Sequence, residues 1–185
     1  MASKLRVNAI LPVDGAPTGG GGGIIQVVQT VKTDTQTITT SGYPDTLTAI
    51  TGLQPVITPT SSSSKILLQW SINVSGGTNT HVSNLFYRTI SGSEAEISDF
   101  KGDAASSRVR SAQQVYAGND SIDVYRQNIF SGFYLDTPNT TSAITYSVKF
   151  RVYDSDLYIN RSQNDSDANW ASRTASTFLL MEVSA

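Results

Sequence analysis

The sequence predicts an all-β, antiparallel β-sandwich or jelly roll, on three observations. Two long segments alternate between apolar and polar residues with one exception, Ser and Thr make up about a quarter of the chain, and turn-forming clusters recur at short intervals. Alternation with a period of two puts every second side chain on the same face of an extended strand, so one face is buried and the other is wet. Short hydroxyl side chains compete for backbone hydrogen bonds within a helix, and Thr is stiff at χ1, so the composition favours strands and turns.

The clearest strand spans Lys65–Val74. Ile66, Leu68, Trp70, Ile72 and Val74 share one face, Lys65, Gln69, Ser71 and Asn73 the other, and only Leu67 breaks the pattern. The second is Ile144–Tyr153, where Ile144, Tyr146, Val148, Phe150 and Val152 alternate with Thr145, Ser147, Lys149 and Arg151. Further strands are expected at Ile24–Val31, Thr35–Thr40, Leu53–Thr58, Val82–Ile90, Asp123–Leu135, Leu157–Asn160 and Thr174–Val183. Turns separate them at Ser41–Asp45, Pro59–Ser64, Ser75–Gly77, Asp136–Asn139 and Asn164–Asn169. Many short strands at this spacing suit a sandwich. Residues 91–118 are the least regular, and 104–116 reads either as a short helix or as an exposed loop.

The closing strand, Thr177–Val183, is apolar on both faces, with Phe178 and Leu180 on one side and Leu179, Met181 and Val183 on the other. Two explanations stand side by side: a central strand covered on both faces, or a second face that meets neighbouring subunits.

An unbroken run, Gly19–Gly23, divides the chain. Polyglycine has no side chain to pack and maximal backbone freedom, so residues 19–23 read as a flexible linker. It leaves an N-terminal peptide, 1–18, tethered to a domain at 24–185. A peptide this short does not fold alone and stays mobile or docks on something else.

With no cysteine, neither a disulfide framework nor a thiolate metal site is available. The net charge is −2 with scattered signs, which argues against a nucleic-acid groove or an anionic membrane as partner. No apolar run approaches the roughly 18 residues of a membrane span, and the opening residues are too short and too broken for a signal peptide. The Asn-x-Ser/Thr triplets at Asn73, Asn119, Asn139, Asn160 and Asn164 then read as a by-product of composition.

No catalytic motif is expected. His81 is the sole histidine, no G-x-S-x-G elbow occurs, and the glycine run lacks the Lys-Ser/Thr of a phosphate loop. Asp154, Asp156, Asp165, Asp167 and Asn169 have a calcium-loop look. Counted from Asp165, however, position six is Trp170 and position twelve is Ser176, so the EF-hand pattern fails and a solvated Asx-rich turn is the plainer reading. Glu94, Glu96, Asp99 and Asp103 are the densest carboxylates for glycoside chemistry, with solvent exposure the alternative. No cofactor or metal is expected.

Several segments resemble virion fibre-like and surface structural proteins of cyanophages and other marine tailed bacteriophages. Ser3-Lys-Leu-Arg-Val-Asn-Ala-Ile10 is similar to their opening anchor peptide. Val56-Ile-Thr-Pro-Thr-Ser-Ser-Ser-Ser-Lys-Ile-Leu-Leu68 is similar to their strand, Ser-rich turn and strand. Tyr134–Tyr146, Leu157–Ser162 and Arg173–Val183 resemble later strands, while 91–128 matches nothing in the group. The resemblance implies a jelly roll that forms a homotrimer within a virion.

On that reading Leu5, Val7, Ile10 and Leu11 anchor the chain to other virion proteins of the tail or baseplate. Phe178, Leu179, Met181 and Val183 lie at the trimer interface. Tyr116, Asn119 and Tyr125 are candidates to face a host-surface glycan, since flat rings beside amide donors suit sugars, with ordinary packing and turn formation the plainer reading of the same residues. The alternatives are a capsid decoration (cement) protein on the head and a non-viral lectin-like binding module.

Overall fold

The computed structural model describes residues 23–39, 46–117 and 124–184. Among these lie the strands β1 (Ile24–Lys32), β2 (Gln36–Ile38), β3 (Thr48–Ala49), β4 (Val56–Ile57), β5 (Lys65–Gly76), β6 (His81–Ile90), β7 (Ser93–Glu96), β8 (Gln113–Tyr116), β9 (Asn128–Asp136), β10 (Ile144–Tyr153), β11 (Leu157–Ile159) and β12 (Ser176–Val183). The described residues contain no helix, so 104–116 resolves into irregular chain followed by β8. The expected β10 bounds match the observed ones, and the expected 35–40 and 53–58 strands shrink to β2 and β4. Position 123, the start of an expected strand, falls outside the described residues, and β9 begins at Asn128.

Every strand pair is antiparallel, and the register defines two six-stranded sheets, each four strands wide. In the first, β12 joins β1 to β5 and β9 pairs the opposite edge of β5, while β11 and β2 continue the β12 and β1 rows beside the end of β5. In the second, β3 and β4 share one edge of β10, β6 takes the other, and β7 and β8 share the far edge of β6. The chain crosses between sheets from β2 to β3, β4 to β5, β5 to β6, β8 to β9, β9 to β10 and β10 to β11. Two sheets ordered β1-β12-β5-β9 and (β3/β4)-β10-β6-(β7/β8) with these crossings are the jelly-roll arrangement.

The alternation explains the packing. Ile66, Leu68, Trp70, Ile72 and Val74 of β5 are buried, and Ile144, Tyr146, Val148, Phe150 and Val152 of β10 face them from the other sheet. Trp70 packs on Phe86 with ring centroids 4.3 Å apart, Phe130 on Phe150 at 5.1 Å, and Phe86 on Phe178 at 6.0 Å. Edge-to-face and tilted pairs of this kind add to the burial of the rings. Phe100, from the irregular stretch between β7 and β8, stacks on Tyr134 at 4.7 Å and lies 5.6 Å from Trp70. That stretch therefore closes the open edge of the sandwich.

Buried polar groups need hydrogen-bond partners, and Asn160 shows how the sandwich supplies them. Asn160, fully buried with φ +60°, donates from Nδ2 to the carbonyls of Lys32 and Asp34 at 2.8 and 3.0 Å, and its Oδ1 accepts the Ser176 hydroxyl at 2.6 Å. One amide thus ties β1, β11 and β12 together. Left-handed backbone is a conformation that Asn tolerates better than most residues.

Candidate functional site

The strand directions give the sandwich two unlike ends. Register pairs Ile24 with Val183 and Val183 with Lys65 at one end, and Lys32 with Ser176 at the other. The Ser184 N–H donates to the Gly23 carbonyl at 3.0 Å, so the chain enters and leaves the sandwich side by side. The Pro59–Ser64 turn closes the same end. There Glu182, completely buried, accepts the Thr60 N–H and hydroxyl at 2.7 Å each and Gln26 Nε2 at 2.6 Å. Burial works to raise this carboxyl, but the hydrogen bonds from Gln26 and Thr60, with the Ser64 hydroxyl adding to them, outweigh it and hold it at about 2. The anchoring residues expected upstream, Leu5, Val7, Ile10 and Leu11, lie outside the described residues, as do 19–22 of the glycine linker.

The opposite end carries the aromatic side chains. Register aligns Tyr153 with His81 and His81 with Tyr116, so three rings stand in a row across β10, β6 and β8. The ring centroids are 4.9 Å apart for His81–Tyr116 and 6.1 Å for His81–Tyr153. All three are exposed, and the Tyr116 hydroxyl donates to Asn79 Oδ1 at 2.9 Å. Tyr125 lies at this end too, edge-to-face with the exposed Trp170 and accepting Asn164 Nδ2 at 3.1 Å. Of the three expected receptor-facing residues, Tyr116 and Tyr125 are at the end far from Gly23 and Ser184, and Asn119 is outside the described residues. The sequence singled out Tyr116 without His81 and Tyr153, because only the register of β10, β6 and β8 brings them together.

Between the two ends, one flank is apolar. On the outer face of the β1-β12-β5-β9 sheet, register sets Val27, Met181, Leu67 and Leu135 in one row and Gln29, Leu179, Gln69 and Phe133 in the next. Phe133 is 75% exposed, Ile129 57% and Val27 55%. Leu179, Met181 and Val183, the outer residues of the closing strand, are half-buried on this flank. Phe178, grouped with them as an interface residue, is instead wholly enclosed against Phe86 in the subunit's own core. The reason is the alternation itself, which sends 178 and 180 inward when 179 and 181 point out.

The outer face of the second sheet is polar by contrast. Lys149 pairs with Glu94 at 2.6 Å and lies 4.4 Å over the Tyr87 ring, and Lys101 pairs with Glu96. The carboxylates weighed for glycoside chemistry are thus engaged with lysines at 94 and 96. A polar recess near the chain-end side of the sheets is lined by Arg88, Asp99, Tyr134 and Asp136. Within it, Arg88 Nη1 reaches both Asp136 oxygens at 2.5 and 2.7 Å, and the Tyr146 hydroxyl donates to Asp136 at 2.7 Å. Burial, reinforced by the Asp136 charge, pushes the Tyr146 phenol up. This cluster ties β6, β9 and β10 together.

No group of three His, Cys, Asp or Glu side chains able to hold a metal occurs among the described residues. Asp165 pairs with Arg173 at 2.6 Å, and Asn164 Oδ1 accepts the Ser166 N–H at 3.1 Å, an Asx turn.

No family model matches the chain, and no curated protein matches it. Among solved structures it is similar to those of infectious bursal disease virus, Gt strain (TM-score 0.39, 12% identity) and Gx strain (0.40, 11%), covering all of this chain and 42% and 41% of those. It is also similar to the VP2 subviral particle of that virus, with TM-score 0.39, 11% identity, and 86% of this chain covering 38% of that one. The chain spans about two fifths of these neighbours, and a likeness this loose carries no argument about function. The class rests on the strand order alone, an antiparallel jelly roll with an apolar flank.

Proposed function

We propose that the chain is a bacteriophage virion structural protein of the tail-fibre or receptor-binding type. It attaches through residues 1–18 to the tail or baseplate and presents a homotrimeric jelly roll to the host surface. The observation that carries this reading is the polarity of the domain. Its tether joins at Gly23, beside the chain's exit at Ser184, and the Tyr153–His81–Tyr116 row stands at the other end of strands that are about 30 Å long. A rod-like module fixed at one end and exposed at the other needs this layout. The segments that resemble phage fibre-like proteins support the same reading, and the far-end rings fit a glycan receptor through flat apolar faces beside amide and hydroxyl groups.

The test is deletion of residues 1–18 in a phage that carries the gene. The reading expects the truncated protein to fold and to be lost from purified particles. Unimpaired incorporation of the truncated chain overturns the anchoring claim. Immunolabelling of full-length particles on the head and not the tail replaces the fibre assignment with head decoration.

A further inference from the structure

The flank formed by β1, β12, β5 and β9 is the largest unexplained feature of the molecule. Four strands about 4.8 Å apart and some eight residues long present roughly 500 Å² of flat surface. Gln29, Gln69 and Ser131 interrupt it, but most of its outward side chains are apolar, and exposed apolar patches of about a few hundred Å² mark interaction sites. It also approaches one partner's share, about 800 Å², of a standard interface. An aqueous surface gives no reason for Phe133 to stand 75% exposed beside Ile129 and Leu135.

Charge and layout identify the occupant. Among the outward residues of these four strands, Lys65 alone carries a charge. A charge-poor face meets an identical copy without placing like charges together, and Gln29 and Gln69 offer both donors and acceptors to such a copy. Exposure is greatest at the two margins, with Ile25, Val27 and Val31 on β1 and Ile129, Phe133 and Leu135 on β9, while Leu67, Leu179 and Met181 between them are half-buried. Two separate apolar margins on one face suit a closed ring in which different patches meet, whereas a twofold dimer pairs one patch with itself.

We propose that this flank is the contact between three copies of the chain, the β9 margin of each packing on the β1 margin of the next around a threefold axis. The surface is wider than the closing strand, and Phe133 is its most exposed apolar side chain. The arrangement gathers three Gly23 tethers at one end and three aromatic rows at the other. It rests on the homotrimer reading above and widens its interface from Leu179, Met181 and Val183 to the β1 and β9 margins.

The test uses the full-length chain and two margin variants, Phe133→Asp and Val27→Asp, sized by light scattering. Both residues are exposed, so folding is preserved, and far-UV circular dichroism with a thermal melt checks it. Tyr116→Ala serves as a control away from the flank. The expected result is a wild-type mass of three times 19.8 kDa, unchanged in Tyr116→Ala and reduced to one third in both margin variants. A trimeric Phe133→Asp and Val27→Asp pair overturns the surface and leaves the trimer standing. A wild-type dimer that both variants dissociate overturns the ring and the trimer reading together. A wild-type monomer overturns both as well, and aggregation of that monomer on removal of residues 1–22 assigns the flank to the chain's own N-terminal peptide.

Discussion

Gly132 of β9 leaves open the space that the Trp70 indole of β5 fills: a Cβ at 132 stands 2.8 Å from Trp70 Cζ2. The two residues are directly paired in register, and Trp70 is held on its other side by Phe86 and Phe100. The ring cannot retreat, so a methyl group forces a shift of strand or ring. Gly132→Ala is expected to destabilise the fold by about 1–3 kcal/mol, the usual cost of overpacking. Urea unfolding followed by Trp fluorescence measures it, and a variant as stable as the parent contradicts the packing described.

Acid unfolding centres on Glu182. Its carboxyl sits at about 2 in the folded chain against an ordinary 4.5, so folding favours the ionised form. The stability it contributes is complete above pH 4.5 and drains away as the pH falls toward 2. Glu182→Gln is expected to lower stability at pH 7 by about 1.5–3 kcal/mol, the range for hydrogen bonds to charged groups, and to flatten the stability profile between pH 4.5 and 2. Denaturation at a series of pH values reads both effects, and an unaltered slope in the variant contradicts the role given to this group.

Tyr146 gives the alkaline counterpart. Burial and the neighbouring Asp136 push its phenol above the ordinary 10.0, so its contribution is intact below pH 10 and is lost as the pH rises beyond it. Tyr146→Phe removes the 2.7 Å hydrogen bond to Asp136 and is expected to cost about 1.5–3 kcal/mol at neutral pH. Above pH 10 the gap between variant and parent narrows. A gap that widens there contradicts the assignment.

At the far end, Tyr116→Ala and His81→Ala are expected to leave folding and particle incorporation intact, because both side chains are exposed. Adsorption of the phage to its host is expected to fall at least tenfold, the effect of losing roughly 1.4 kcal/mol at each contact. Adsorption assays with complemented particles measure this, and normal adsorption by both variants contradicts the receptor-facing role.

Much of this architecture was legible before any coordinates. β5 and β10 each cover a core with one face and meet water or polar neighbours with the other, so their alternation marks the inward residues of both and the extent of β10, whereas β5 runs on through Ser75 and Gly76, where a turn was expected. β3, β7 and β8 were missed because two to four residues of Thr, Ser, Glu and Gln carry no apolar period, and only pairing to β10 and β6 makes them strands. The alternation of the closing strand sets Leu179 and Met181 on the face opposite Phe178 and Leu180, as the burial shows, yet Glu182 on the inner face carries no local sign of burial. Its partners at Gln26 and Thr60 are 156 and 122 residues away. The flank was invisible for the same reason: Val27, Leu67, Phe133 and Met181 lie on four separate strands and become one surface through register alone.

The proposed function requires a domain with two unlike ends, held to the particle at Gly23 and free at the Tyr153–His81–Tyr116 row. A density map of the particle that carries the protein tests this most directly. The account predicts three jelly rolls around one axis, with Ile24 and Val183 toward the particle and the Tyr153–His81–Tyr116 rows outward. A single copy, or a trimer with those rows against the particle surface, contradicts it.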